Sequence, residues 1–178
     1  GGIVSNFYDA ADRLVRVRNP LGFITTNQYD LAGRLVRVSD PLGNTVSNSY
    51  DAAGNLVSVR DAAGNVASNQ YNALNRLALA FNPLGDVVSN GYDAVGRLVA
   101  QVDPKGILTE YEYDALGRRT HERRAGIEHR FEYDAVGNRT AYIKPKGERM
   151  GFGFDKMSRL VWETNAVGEV TLMVYDAA

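Results

Sequence analysis

The stretch "SNSYDAAGNLV", residues 47–57, reads as the end of one strand, a tight turn and the start of another. Tyr50 closes a short run of polar and β-branched residues. Asp51 is followed by two alanines and Gly54, and Leu56 and Val57 open a new apolar run. Asp at the first position and Gly at the last, where the backbone often needs φ > 0, are the residues a type I turn selects. Nearly the same words stand at residues 28–36 ("QYDLAGRLV") and 91–99 ("GYDAVGRLV").

The repetition continues outward in both directions. The aromatic recurs at Tyr8, Tyr29, Tyr50, Tyr71, Tyr92, Tyr113, Tyr133, Phe154 and Tyr175, in steps of 21 residues except one of 20 between Tyr113 and Tyr133. Asp9, Asp30, Asp51, Asp93, Asp114 and Asp134 follow it directly, with Asn72 the one departure, and Gly33, Gly54, Gly96, Gly117 and Gly137 end the same turn. Asp12, Asn75 and Ser158 replace that glycine elsewhere. Asp and Asn tolerate the left-handed region best among non-glycine residues, and Ser158 fits it less well. A second turn recurs in each repeat, as in Asp40-Pro41-Leu42-Gly43.

Between the turns lie segments such as "LVRVS" (residues 35–39) and "TVSNSY" (residues 45–50). Their Val, Thr and Tyr content and their length belong to strands, and no helical period is sustained. The fold class is therefore all-β: a repetitive antiparallel β-hairpin meander, one hairpin per 21-residue repeat, with roughly sixteen strands. Residues 1–178 read as a single array of about eight repeats that both begins and stops inside the pattern ("VYDAA"), as a fragment of a longer protein would.

An odd period raises a problem of register. Equivalent residues keep one face only if the two loops differ in parity or a bulge absorbs one residue, because a one-residue slip turns every side chain over. The 20-residue repeat, in which Ala125-Gly126 replaces the longer second turn, is expected to have a two-residue loop and a compensating bulge nearby. That loop would set Arg123 opposite Glu128 and Glu122 opposite His129.

Composition narrows the function. The formal net charge of −1 argues against a nucleic-acid partner, which calls for a basic excess. The chain has no cysteine, which excludes a disulfide framework and any thiolate chemistry. It has no apolar run long enough for a membrane-spanning helix and no visible signal peptide.

Tyr-Asp-x-x-Gly-Arg-Leu followed by Asp-Pro-x-Gly, in phase along the entire chain, resembles the YD repeats of Rhs proteins. Related repeats occur in Tc toxin shell components, bacterial wall-associated proteins and teneurins. The resemblance implies a β-sheet spiral that closes as a hollow shell, enclosing a toxin domain in the bacterial toxins. It also implies a secreted or cell-surface bacterial location. The partners it implies are the remainder of the YD-repeat shell and an enclosed toxin or effector domain. An isolated fragment is expected to self-associate through open sheet edges. Rhs proteins of this kind often end their shell with Asp-Pro-x-Gly followed by Leu or Trp, where they cleave themselves. Here Asn44 and Ile107 stand at that point, so the two Asp-Pro-x-Gly copies read as turns.

Candidate chemistry is sparse. The repeated Asp reads as the acceptor that holds its turn, not as a metal-binding row. The Tyr of each repeat is expected to form an aromatic ladder. Arg118, Arg119, Arg123, Arg124 and Arg130 cluster with His121 and His129 in one hairpin. They form either a glycan-, phosphate- or protein-binding patch or a solvated strand pair laced with ion pairs. His121 and His129 lack a third ligand at zinc spacing. The late aromatics Tyr111, Phe131, Tyr142, Phe152 and Trp162 are too few to build the aromatic cage of a choline-binding repeat in every unit. No nucleophile elbow, P-loop or dinucleotide fingerprint is present, and a residue repeated in every unit is a poor catalytic candidate. The expectations are a structural scaffold without enzymatic activity or cofactor and, as the alternative, an extracellular carbohydrate- or protein-binding module.

Overall fold

The computed structural model describes residues 2–176; Gly1, Ala177 and Ala178, and with them the last two letters of the terminal "VYDAA", lie outside it. The described residues contain seventeen strands and no helix. The chain divides into two compact halves, one up to Ser89 and the other from Asn90.

The first half is an antiparallel meander of β1 (Ser5–Tyr8), β2 (Leu14–Arg18), β3 (Ile24–Tyr29), β4 (Leu35–Ser39), β5 (Thr45–Tyr50), β6 (Leu56–Arg60), β7 (Val66–Tyr71) and β8 (Leu77–Phe81), ending on β9 (Val87–Tyr92), which runs across the division. The second half continues with β10 (Leu98–Val102), β11 (Leu108–Tyr113), β12 (Arg119–Arg124), β13 (Ile127–Tyr133), β14 (Arg139–Ile143), β15 (Arg149–Phe154), β16 (Leu160–Thr164) and β17 (Val170–Leu172), each paired with the next in sequence. "LVRVS" and "TVSNSY" are β4 and β5.

Both turns of a repeat are closed in one way. In the first, the N–H of Asp30 donates to the carbonyl of Arg34 and the N–H of Gly33 donates back to the carbonyl of Asp30, each at 3.0 Å. Asp40, Gly43 and Asn44 do the same in the second turn. This is a type I turn ending in a left-handed residue. Asp12, Asn75 and Ser158 take that conformation at φ of 58°, 58° and 59°, so Ser158 accepts it as the other two do.

The odd period is absorbed by a bulge in every repeat, at the strand end carrying the Tyr. β3 pairs with β4 as Gln28↔Arg37 and then Tyr29↔Leu35, which leaves Val36 without an opposite number. The consequence is a constant offset. Arg16 pairs with Thr26, and Thr26 pairs with Ser39, two residues past Arg37, the equivalent of Arg16 one period on. An even offset keeps equivalent residues on one face.

The 20-residue repeat has the expected two-residue loop, with Arg124↔Ile127 flanking Ala125 and Gly126, and it places Arg123 opposite Glu128 and Glu122 opposite His129. Parity is not broken there, contrary to expectation. His121 pairs with Arg130, and Arg130 with Ile143, again two residues past the equivalent Ala141. Loop and period each lose one residue, so the offset is unchanged. The bulge between Glu132 and Tyr133 is the ordinary one found in each repeat.

The sheet has almost no core. Among the described residues only Thr109, Ala141 and Gly151 are buried. In the first half one face carries rows such as Asn27–Val38–Val46 and Asn48–Val59–Ala67, and the other carries Gln28–Arg37–Ser47–Arg60. Cohesion therefore rests on ladder hydrogen bonds and on contacts between neighbouring repeats.

Candidate functional site

The signature residues converge where one repeat meets the next. Asp30 Oδ1 accepts the N–H of Arg34 at 2.9 Å, and Oδ2 accepts its Nε–H at 2.7 Å. The backbone N–H and then the guanidinium of Arg34 hold the Asp30 carboxyl below its ordinary value, against the burial that would raise it. Arg34 reaches onward. Its Nη1 donates to the carbonyl of Asp51 in the next repeat at 3.0 Å, and its guanidinium lies 4.8 Å from the centre of the Tyr50 ring.

The same clasp joins Arg13 to Tyr29 and Asp30, Arg97 to Tyr113 and Asp114, and Arg118 to Tyr133 and Asp134. Arg159 lies over Tyr175 in the same way. Where an Arg follows the turn, the Asp that opens it holds its own turn and aims the Arg that grips the following one; Asp51 and Asp134 hold Asn55 and Asn138 instead. Where Asn72 replaces the Asp, its Oδ1 still accepts the N–H groups of Leu74 and Arg76.

Each Tyr has a second role. The ladder between β4 and β5 ends at Arg37↔Ser47, so the carbonyl of Leu35 in the bulge has no ladder donor. Tyr50 Oη and Asn48 Nδ2 both donate to it at 3.0 Å. Tyr29 with Asn27 on Leu14, and Tyr71 with Asn69 on Leu56, repeat the arrangement. The expected ladder of Tyr on Tyr is corrected by this geometry: an arginine of the preceding repeat occupies the ring face. That role was legible only as an Arg after the turn Gly in the motif. From Arg34 the ring partner, Tyr50, lies 16 residues on, beyond the reach of local pattern reading.

The second half changes this interface. Tyr111, Phe131 and Phe152 stand where the first half has Asn27, Asn48 and Asn69, and Arg119 and Arg139 stand where it has leucines. Arg119 lies over the rings of Tyr111 and Phe131, at 5.6 and 5.1 Å, and Arg139 over Phe131 and Phe152, at 6.0 and 5.5 Å. Tyr142 stacks between His129 and Phe131, with 5.6 Å between centres on each side, and its hydroxyl is hydrogen-bonded to His129 Nδ1 at 2.7 Å. Glu122, His129, Phe131, Arg139 and Tyr142 line an open recess of about 310 Å³. Further along, Trp162 lies flat against Gly151 and Gly153, where a side chain would collide with the indole.

The five arginines singled out in the sequence are not gathered into one patch. Arg118 pairs with Asp114, Arg119 with Glu122, Arg124 with Asp103 and Arg130 with Glu128. Arg123 bridges Glu112 and Glu128. Arg123 and Glu122, adjacent on β12, stand on opposite faces. His121 sits beside Glu112 while His129 lies against Tyr142, so the two histidines do not converge. Among the described residues no three of His, Asp and Glu lie close enough to hold a metal ion.

Comparison with known proteins agrees with this anatomy. The crystal structure of TcdB2-TccC3-Cdc42 is similar at 17% identity and a TM-score of 0.61, covering 92% of this chain and 13% of that one. The crystal structure of TcdB2-TccC3 without its hypervariable C-terminal region gives 17%, 0.60, 92% and 13%. The structure of the Photorhabdus luminescens Tc holotoxin pore gives 17%, 0.58, 92% and 13%. This chain thus spans 13% of the length of the chains it is similar to. No curated protein matches its sequence. The pattern described as RHS Repeat matches residues 8–45, 50–87 and 92–126, which is most of the chain, and the chain belongs to the RHS repeat family.

Proposed function

We propose that this chain is one section of a YD-repeat scaffold whose complete form encloses or displays a separate effector domain of a secreted bacterial protein. The observation that carries the reading is the clasp. Arg13, Arg34, Arg97 and Arg118 each hold their own turn and grip the next, so these repeats are built to be followed by another. With only Thr109, Ala141 and Gly151 buried among the described residues, no repeat has a core of its own. The fold likeness to TcdB2-TccC3 structures and membership of the RHS repeat family support the same reading.

The partners are then further repeats of the same sheet and an effector domain of the parent protein. The chemistry is mechanical: the repeats hold a surface in place and catalyse nothing. No helix among the described residues is long and apolar enough to cross a membrane.

The test is the solution mass of the 178-residue chain. Light scattering over a hundredfold range of concentration is expected to show mass rising through pairing of the open strands β1 and β17. The bonds Asn165–Glu169 and Val161–Met173 make Glu163↔Thr171 a ladder pair and turn the N–H of Leu172 outward, so Leu172→Pro in β17 removes an edge donor and should lower that association. A chain that stays monomeric at every concentration overturns the reading.

A second reading, an extracellular binding module, is favoured by the recess between Glu122 and Tyr142. In the first half asparagines and leucines stand at the equivalents of Phe131 and Arg139, and Val38, Val46, Val59 and Ala67 are among the equivalents of Tyr142 and His129.

A further inference from the structure

Two arginines of the second half have the same stacked setting and different edges. Arg119 lies between the rings of Tyr111 and Phe131, and its Nη1 is 3.0 Å from Glu122 Oε2, three residues on. Arg139 lies between Phe131 and Phe152 in the same manner. The residue three positions on from Arg139 is Tyr142, not a carboxylate. From Arg97 onward, every other described arginine has a carboxylate partner within 3.0 Å. Arg139 has none.

Stacking uses the faces of a guanidinium and leaves its in-plane N–H groups free, in the fork that matches a carboxylate. Those donors open onto the recess of about 310 Å³, at the small end of ligand sites. Phe131 and Tyr142, stacked on each other, supply apolar wall to the recess. Glu122 also lines the recess, and its carboxylate accepts hydrogen bonds only.

We infer that this recess is a binding site for a sugar acid, a hexuronate unit whose carboxylate takes the place at Arg139 that Glu122 takes at Arg119, and whose hydroxyls donate to Glu122. A neutral sugar lacks the first contact, and a simple carboxylate lacks the second. The site goes beyond the scaffold reading and does not depend on it, since a scaffold with or without an enclosed domain would present it equally.

The experiment is calorimetric titration of the full chain with glucuronate, glucose and acetate at low and physiological salt. Glucuronate is expected to bind at least tenfold more tightly than either of the others. Arg139→Gln and Tyr142→Glu should each weaken it at least tenfold, the latter by supplying an internal carboxylate in the pattern of Arg119 and Glu122. Circular dichroism checks that both variants keep the sheet, and Arg130→Gln, on the opposite face, should leave binding unchanged. Equal affinity for glucuronate and acetate, binding indifferent to both substitutions, or an acidic peptide that binds while glucuronate does not would each overturn the assignment.

Discussion

Arg34 and Tyr50 belong to different repeats, and the guanidinium of one lies 4.8 Å from the ring centre of the other. The contact joins a turn to the strand of the following hairpin and recurs down the chain. It turns a period in sequence into adhesion between neighbours. Loss of the ring contact at an exposed site is worth about 0.5–1 kcal/mol. Arg34→Ala is therefore expected to lower the urea midpoint of unfolding. Arg34→Lys should recover only part of it, because an ammonium cannot hold Asp30, the ring and the Asp51 carbonyl together.

The doubly served carbonyl of Leu35 gives a test of coupling. Tyr50→Phe and Asn48→Ala each leave one donor in place, at a cost of about 0.5–1 kcal/mol for the lost hydrogen bond. Together they leave the carbonyl without a protein partner. Equilibrium unfolding of the double variant should show a loss larger than the sum of the single losses. Strict additivity would mean that water replaces the side chains without penalty.

Ala125 adopts a φ of 50° next to Gly126 at 79°, both positive, as a two-residue hairpin turn requires. Alanine pays a steric penalty there that asparagine largely avoids. Ala125→Asn should stabilise the chain by roughly 0.5–1 kcal/mol, and Ala125→Val should destabilise it, as read by thermal unfolding.

Stability should fall in acid. The Asp51 carboxyl lies below its ordinary 3.8 because Asn55 donates to it from side chain and backbone. Asp30, Asp114 and Asp155 are lowered in turn by the backbone N–H groups of Arg34, Arg118 and Arg159. A carboxyl depressed in the folded state contributes stability that is complete above its unfolded value and is lost as pH falls from there through the folded value. The thermal midpoint should hold from neutral pH to about 5 and drop below 4. Asp51→Asn, which retains the acceptor as Asn72 does, should make that drop shallower.

Gly153 lies under Trp162, where a Cβ would fall inside the indole. Gly153→Ala is expected to displace the ring and destabilise the second half by roughly 1–3 kcal/mol. Tryptophan fluorescence should shift toward that of a solvated indole. An unchanged spectrum would show that the ring does not pack on this strand.

What could be read without a structure was whatever is decided within a few residues. Asp51 and Gly54 announce a turn because a side-chain oxygen and a positive φ act locally, and "LVRVS" announces a strand by composition. The two-residue loop at Ala125-Gly126 followed from a count, and so did the facing of Arg123 and Glu128. Ser158 was the hard case, since its left-handed conformation is imposed by a hairpin that closes as the others do.

The sequence by itself determined a chain of hairpins in phase, because turn chemistry and strand propensity are local and were repeated nine times over. Tertiary structure decided which residues share a face, because a single bulge beside each Tyr shifts the register by one and reverses the alternation that counting suggests. It also decided that Tyr50 packs on a guanidinium. Arg34 meets it only after two strands have turned back, and no local rule spans that distance. The open edge of Arg139 belongs here too, since it depends on which rings flank the arginine and on a tyrosine standing where another repeat has Glu122.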